Sequence, residues 1–209
     1  MSTILIISPH PDDEAIGCGG TIRKHINEKD SVEVIFLTSG EKGGHGRSEV
    51  ETKQVREQEA KTASTILGIS RIEFWEYPDG AFQATEKNVQ RLLEKIRKSK
   101  TDVIYVPHED ESHPDHRAAA DLVHKATASL GSINLKVLMY EVWTPIQRID
   151  HIVDISLFIG IKRDAILAYK SQCDVLQFDE AIIGLNRYRG EMHSWPGGDY
   201  AEIFKFPEK

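Results

Sequence analysis

Short β-branched runs alternate with longer stretches of helical period from one end of the chain to the other. Residues 2–7 are uncharged and mostly aliphatic, which predicts a buried parallel strand. A helix is predicted over 19–28, where Ile22 and Ile26 share a face. A second strand at 32–37 runs into a polar loop at 38–47, rich in glycine and containing His45. The next helix covers 48–67 and stops at Gly68, a residue suited to a left-handed cap. The alternation continues with a strand at 71–76, a helix at 86–98 with Val89, Leu92, Leu93 and Ile96 inward, and a strand at 103–106. A helix at 117–129, strands at 135–141 and 152–155, and helices at 158–169 and 179–189 follow. The chain closes on an alternating strand at 200–206, expected at a sheet edge. Strands joined by helix-length connections predict an α/β fold whose mainly parallel central sheet is covered on both faces. No linker, repeat or low-complexity segment divides the pattern, so one domain over 1–209 is expected.

Composition narrows the function classes. With 40% hydrophobic and 28% charged residues, the chain has the make-up of a soluble globular protein. Its net charge of −7 and the absence of a basic stripe argue against nucleic acid as a partner. No apolar run reaches the roughly 20 residues of a membrane helix, and no leader-like n- and h-region opens the chain. Cys18 and Cys173 are too few for a disulfide framework. A cytoplasmic protein with no membrane partner is expected.

Two strand ends carry the candidate chemistry. The first predicted strand runs directly into Ser8-Pro9-His10-Pro11-Asp12-Asp13-Glu14, and the strand at 103–106 into Pro107-His108-Glu109-Asp110-Glu111-Ser112-His113-Pro114-Asp115-His116. Parallel strands put both ends on one edge of the sheet, where ligands of open α/β folds bind. His10, Asp13 and His116 then supply two imidazoles and a carboxylate, a set suited to a catalytic zinc with one open position. Asp12, next to a ligand but turned elsewhere, is placed to take a proton from an attacking water. His113 is the candidate acid, with Asp115 able to orient it and favour its protonated form. Glu14 is expected to support the metal site or to cap a helix, and His108 reads as a surface or capping histidine. The late loop at 191–198 offers His193 as a candidate for a pocket wall, outside this set. Such an arrangement performs metal-assisted amide hydrolysis. A metal-dependent phosphoesterase and a nucleotide-binding Rossmann module are the alternatives, the latter resting on Gly17-Cys18-Gly19-Gly20, which lacks the GxGxxG spacing.

The two motifs, PHPDDE followed by Gly17-Cys18-Gly19-Gly20-Thr21 and then HPDH, resemble those of the LmbE-like (PIG-L) family of zinc-dependent deacetylases. Leu37-Thr38-Ser39-Gly40-Glu41, Arg56-Glu57-Gln58-Glu59-Ala60, Leu67-Gly68 and Tyr169-Lys170-Ser171-Gln172 look like further family positions in family order. The resemblance implies a Rossmann-like three-layer sandwich and removal of an N-acetyl group from an N-acetylglucosaminyl compound. It implies His10, Asp13 and His116 as ligands of one zinc ion per chain, with Fe2+ as an alternative ion. Asp12 is then the base, His113 with Asp115 the acid and electrophile, and Arg56 a substrate-binding residue. The implied substrate is a small amino sugar, such as N-acetylglucosaminyl malate of bacillithiol synthesis or a chitin-derived disaccharide. A homo-oligomer, trimer or hexamer, is implied as well. The acidic run Glu109-Asp110-Glu111 predicts a pocket rim that disfavours a highly anionic substrate, and Gly43, Gly44 and Gly46 predict a mobile substrate loop.

Overall fold

In the computed structural model, which describes residues 1–130, 135–193 and 197–208, seven strands form one sheet. The elements are β1 (Thr3–Ser8), α1 (Asp13–Asn27), β2 (Ser31–Thr38), α2 (Glu49–Leu67), β3 (Arg71–Tyr77), α3 (Glu86–Ser99), β4 (Val103–Pro107) and α4 (Pro114–Ala128). They continue through β5 (Lys136–Tyr140), β6 (His151–Asp154), α5 (Ile159–Leu167), α6 (Lys170–Cys173), α7 (Phe178–His193) and β7 (Ala201–Lys205). Sheet order is β3-β2-β1-β4-β5-β7-β6, with β1 to β5 parallel and β7 antiparallel to both its neighbours.

Buried side chains divide by strand parity, as a sheet covered on both faces requires. Ile4, Ile6, Val34 and Phe36 pack with α1, α2 and α5, while Leu5, Ile7, Ile35 and Leu37 pack with α3 and α4. The long helix α2 is fixed at its start by a capping box, in which Ser48 Oγ accepts from Glu51 N–H and the Glu51 carboxylate accepts from Ser48 N–H. It ends on Gly68 in the left-handed conformation, as its sequence predicts.

Three expectations need correction. The closing strand does not lie at an edge: β7 runs between β5 and β6, its antiparallel entry invisible to a period-two pattern. Helix α1 begins earlier than predicted, at Asp13, and is interrupted at the non-helical Cys18, so the predicted helix from Gly19 is its second part. A Cβ on Gly17 would overlap the Tyr140 ring of β5, so glycine lets helix and sheet approach. Helix α4 likewise begins at Pro114, which suits a first helical turn, and this places Asp115 and His116 on that turn.

Candidate active site and metal centre

The site is assembled from the segments that leave the C-terminal ends of β1 to β5. β1 and β4 are adjacent and parallel. The chain leaves β1 for α1 on one face and β4 for α4 on the other, opening a crevice between them. A cavity of about 340 Å³ lies there, walled by His10, Asp12, Asp13, Arg56, Asp79 and His113, with Lys42, His45, Trp143 and Gln172 further out.

His10, Asp13 and His116 converge as the two motifs predict. Asp13 Oδ2 is 3.2 Å from His10 Nδ1 and 3.2 Å from His116 Nε2, and the two ring nitrogens are 3.3 Å apart. Ligands about 2.0–2.1 Å from a tetrahedral ion stand about 3.3 Å from one another. The three atoms therefore already form one face of such a coordination shell. His113 belongs to a looser group, in which one ligand atom each from His10, His113 and His116 lie within 4.8 Å.

The electrostatics favour a positive charge at this point. Burial opposes a charged His10 ring, yet hydrogen bonds to Asp115, Asp13 and Asp79 hold its pKa well above the ordinary value. Burial is likewise outweighed at His116, where the Asp13 charge and bond and the Glu111 carboxylate push it up to about 9. His116 Nδ1 still has no hydrogen-bond partner, and Glu111 Oε2 stands 3.6 Å from it. Protons on these imidazoles balance a surplus of carboxylates, and a divalent cation would do the same with better geometry. The second nitrogen of His10, Nε2, faces Asp79 Oδ1 at 3.1 Å and Asp115 Oδ2 at 3.2 Å, and these three buried residues form a second group that could hold an ion.

Asp12 sits beside this cluster in a left-handed backbone conformation, φ 122°, that only a well-braced turn sustains. Its braces are visible. Its N–H donates to Glu14 Oε2 (3.2 Å), and Arg56 Nη2 donates to both Asp12 Oδ2 (2.9 Å) and the Pro11 carbonyl (2.5 Å). Arg56 Nη1 donates to the Gly40 carbonyl (2.9 Å), and a Cβ on Gly40 would collide with that guanidinium. Burial pushes Asp12 up to about 7 against the pull of Arg56. Glu14 is fully buried and accepts the Tyr169 hydroxyl on Oε1 (2.5 Å), so it braces the Asp12 turn from beneath. Burial pushes it up to about 8.

His113 caps α4, and its Nδ1 accepts from the Asp115 backbone N–H at 3.2 Å. Nε2 is therefore the nitrogen that carries the proton. The expected carboxylate pairing differs: the Asp115 side chain accepts from Gly80 N–H (2.7 Å) and Phe82 N–H (3.1 Å) and contacts His10 instead. The His113 pKa is lowered below its ordinary value, first by burial and then by His10 and His116, against the opposing pull of the Asp115 and Asp13 charges. The Asp115 carboxylate is thus a partner of His10, while the Asp115 backbone N–H orients His113.

The acidic run before HPDH does not line the metal-cluster cavity. Glu109 and Asp110 pair with Lys205 at 2.7 and 3.2 Å, and Glu111 is 1% exposed. The Glu111 carboxylate accepts the N–H groups of Val142, Trp143 and Thr144, fixing the turn after β5 against His116. His108 is buried, with Nε2 2.7 Å from the Thr144 carbonyl. His193 ends α7 against Arg189 and Tyr188 and is not among the cavity residues, while 194–196 of its loop lie outside the described residues. In the glycine loop, Gly43 O accepts from Gln172 Nε2 (3.1 Å) and Lys42 N–H donates to Asp79 (3.0 Å). Gly17 and Gly20 pack on Tyr140 and Ile155, which leaves no room for a phosphate there. Asp79 escaped the sequence reading, although an acid in the Pro78-Asp79-Gly80 turn just beyond a third parallel strand was a usable signal.

Comparison with known proteins places the chain among sugar-deacetylase relatives. A family model, PIG-L (GlcNAc-PI de-N-acetylase), matches residues 5–127. A diacetylchitobiose deacetylase of Thermococcus kodakarensis is 30% identical over 99% of this chain and 83% of its own length. A probable N-acetyl-α-D-glucosaminyl L-malate deacetylase 2 of Bacillus anthracis is also 30% identical, over 61% of this chain and 60% of that protein. Among solved structures, a conserved protein of Thermus thermophilus, TT1542, superposes with a TM-score of 0.85 at 33% identity, covering 100% of this chain and 95% of the other. The Rossmann-like architecture is therefore shared. No helix among the described residues is long and apolar enough to cross a membrane.

Proposed function

The chain belongs to the PIG-L family, and from that premise we propose that it is a zinc-dependent hydrolase removing the N-acetyl group of an N-acetylglucosaminyl compound. His10, Asp13 and His116 would hold the ion, and the mutual spacing of 3.2–3.3 Å among His10 Nδ1, Asp13 Oδ2 and His116 Nε2 is the observation that carries the reading. The bound ion supplies Lewis-acid polarisation of the acetamide carbonyl and makes a water molecule acidic near neutral pH. Asp12, braced by Arg56 and Glu14, takes the proton of the attacking water. His113 Nε2–H stabilises the developing oxyanion as a hydrogen-bond donor. The C–N bond breaks, acetate carries away the water oxygen, and Asp12 passes the proton it took from the water to the departing nitrogen. Asp79 and Asp115 hold the His10 ring through Nε2. One domain performs all of this.

The decisive experiment measures metal content and acetate release together. Near-stoichiometric zinc with acetate released from N-acetylglucosaminyl substrates is expected. Asp12→Ala and His113→Ala are expected to keep the metal while losing about 10²–10⁴-fold in turnover. Protein that takes up no divalent ion, or that loses its metal in both variants, would sink the proposal.

A further inference from the structure

A second cavity adjoins the first, and its chemistry is different. It measures about 660 Å³ and shares Trp143, Leu176 and Phe178 with the metal-cluster cavity. Beyond those three, its floor is made by Ile16, Val142 and Ile182. Trp143 is 48% and Leu176 47% exposed, although most large apolar side chains of this chain are buried. Trp143 meets Phe178 edge to face, ring centroids 5.5 Å apart.

This aromatic surface is held in place from the metal site. Glu111 accepts the N–H groups of residues 142 to 144 and faces His116 with its other side. One buried carboxylate thus fixes the Trp143 backbone relative to a candidate metal ligand. A half-exposed tryptophan with a pinned main chain is a preorganised contact surface, because little motion is lost when a ligand covers it.

The geometry points to a subsite for the group on the far side of the N-acetylglucosaminyl ring: Trp143, Leu176 and Phe178 receive the apolar face of a second pyranose ring. The inference rests on the deacetylase reading and names its substrate class, a disaccharide rather than a small carboxylate-bearing glycoside. An all-equatorial pyranose carries hydroxyls around its edge and C–H bonds on its faces, so it can stack on an aromatic plane while its edge stays hydrated. A malate group offers no such face. Nor does this cavity offer it a cation: among the described residues that line it there is no Lys, Arg or His, and the charged one is Glu180. Lys42 and His45 line the metal-cluster cavity, not this one.

The test compares zinc-loaded protein with Trp143→Ala and Trp143→Phe on N-acetylglucosamine, N,N′-diacetylchitobiose and N-acetylglucosaminyl malate. Diacetylchitobiose is expected to have the highest kcat/KM. In Trp143→Ala the ratio of kcat/KM for chitobiose over the monosaccharide should fall about tenfold, mainly through KM, and Trp143→Phe should recover most of it. A second readout is independent of turnover: diacetylchitobiose should quench tryptophan fluorescence of chelated protein, and Trp143→Ala should remove that quench. Quenching without acetate release from any substrate would keep the subsite and overturn the reaction. Acetate release with a ratio indifferent to Trp143, or with the malate glycoside preferred, would overturn the subsite and keep the reaction. Equal losses on all three substrates, with a changed sedimentation mass, would make Trp143 a subunit contact and also overturn it.

Discussion

Helix α1 joins two buried charged clusters that differ in one respect. Beyond its non-helical residue Cys18, the chain restarts as a helix at Gly19-Gly20-Thr21, with amide groups in need of acceptors. Glu202 of β7 supplies them, accepting from Gly20 N–H (2.9 Å) and Thr21 N–H (2.7 Å), while Lys162 Nζ completes the set at 2.7 Å. At the other end of the same helix stand Asp12, Asp13, His10 and His116, with Asp79, Asp115 and Glu111 around them. The Glu202 cluster is closed in charge: one carboxylate meets one ammonium and two amide N–H groups, and both charged side chains are almost inaccessible. The other is open, with His116 Nδ1 and Arg56 Nε unpartnered, a strained aspartate and a cavity beside it. Matched buried polar groups hold a fold together, whereas a surplus of one charge beside a cavity marks a place for a ligand.

The largest expected effect lies in the closed cluster. Lys162→Ala leaves Glu202 buried without its counter-ion and should reduce unfolding free energy by about 3–5 kcal/mol. Urea unfolding measures this, and a loss under about 1 kcal/mol would mean that the helix amides alone satisfy Glu202. The open cluster should respond to metal instead of to truncation. Zinc at a hundredfold excess over its dissociation constant should stabilise the protein by about 2.7 kcal/mol, and chelation should reverse the gain. His116→Ala should abolish that shift, while Lys162→Ala, if folded, should retain it. A metal-dependent shift that survives His116→Ala would erase the contrast between the clusters. The smallest effect is expected from Ser48→Ala, which removes the cap of α2, the helix that carries Arg56. About 1 kcal/mol of stability should be lost, with the metal-dependent shift intact. A larger drop in turnover than in stability there would show that Arg56 depends on the cap for its position.

How legible the site was depended on where each residue lies along the chain. His10, Asp12 and Asp13 share one turn, and His113, Asp115 and His116 another, so local spacing exposed both motifs. Arg56 was visible only through the family pattern, and in the fold its guanidinium is occupied by Asp12 and two carbonyls. Glu111 was seen but misread, because an acid within an acidic run looks solvated until the chain folds three amides onto it. Trp143, Leu176 and Phe178 carried no motif at all, since contact between residues from β5 and the approach to α7 has no local period.

By itself the sequence determined the strand and helix alternation, the parallel half of the sheet and the two His/Asp motifs. Those follow from short-range physics: hydrophobic period, capping residues, and the rule that parallel strands end on one edge. Tertiary structure decided the rest. It inserted β7 between β5 and β6, turned the Asp115 carboxylate from His113 to His10, brought Asp79 to the same imidazole and buried Glu111. Each of these depends on which distant group can satisfy a buried donor or acceptor. That is settled only when the whole chain is packed.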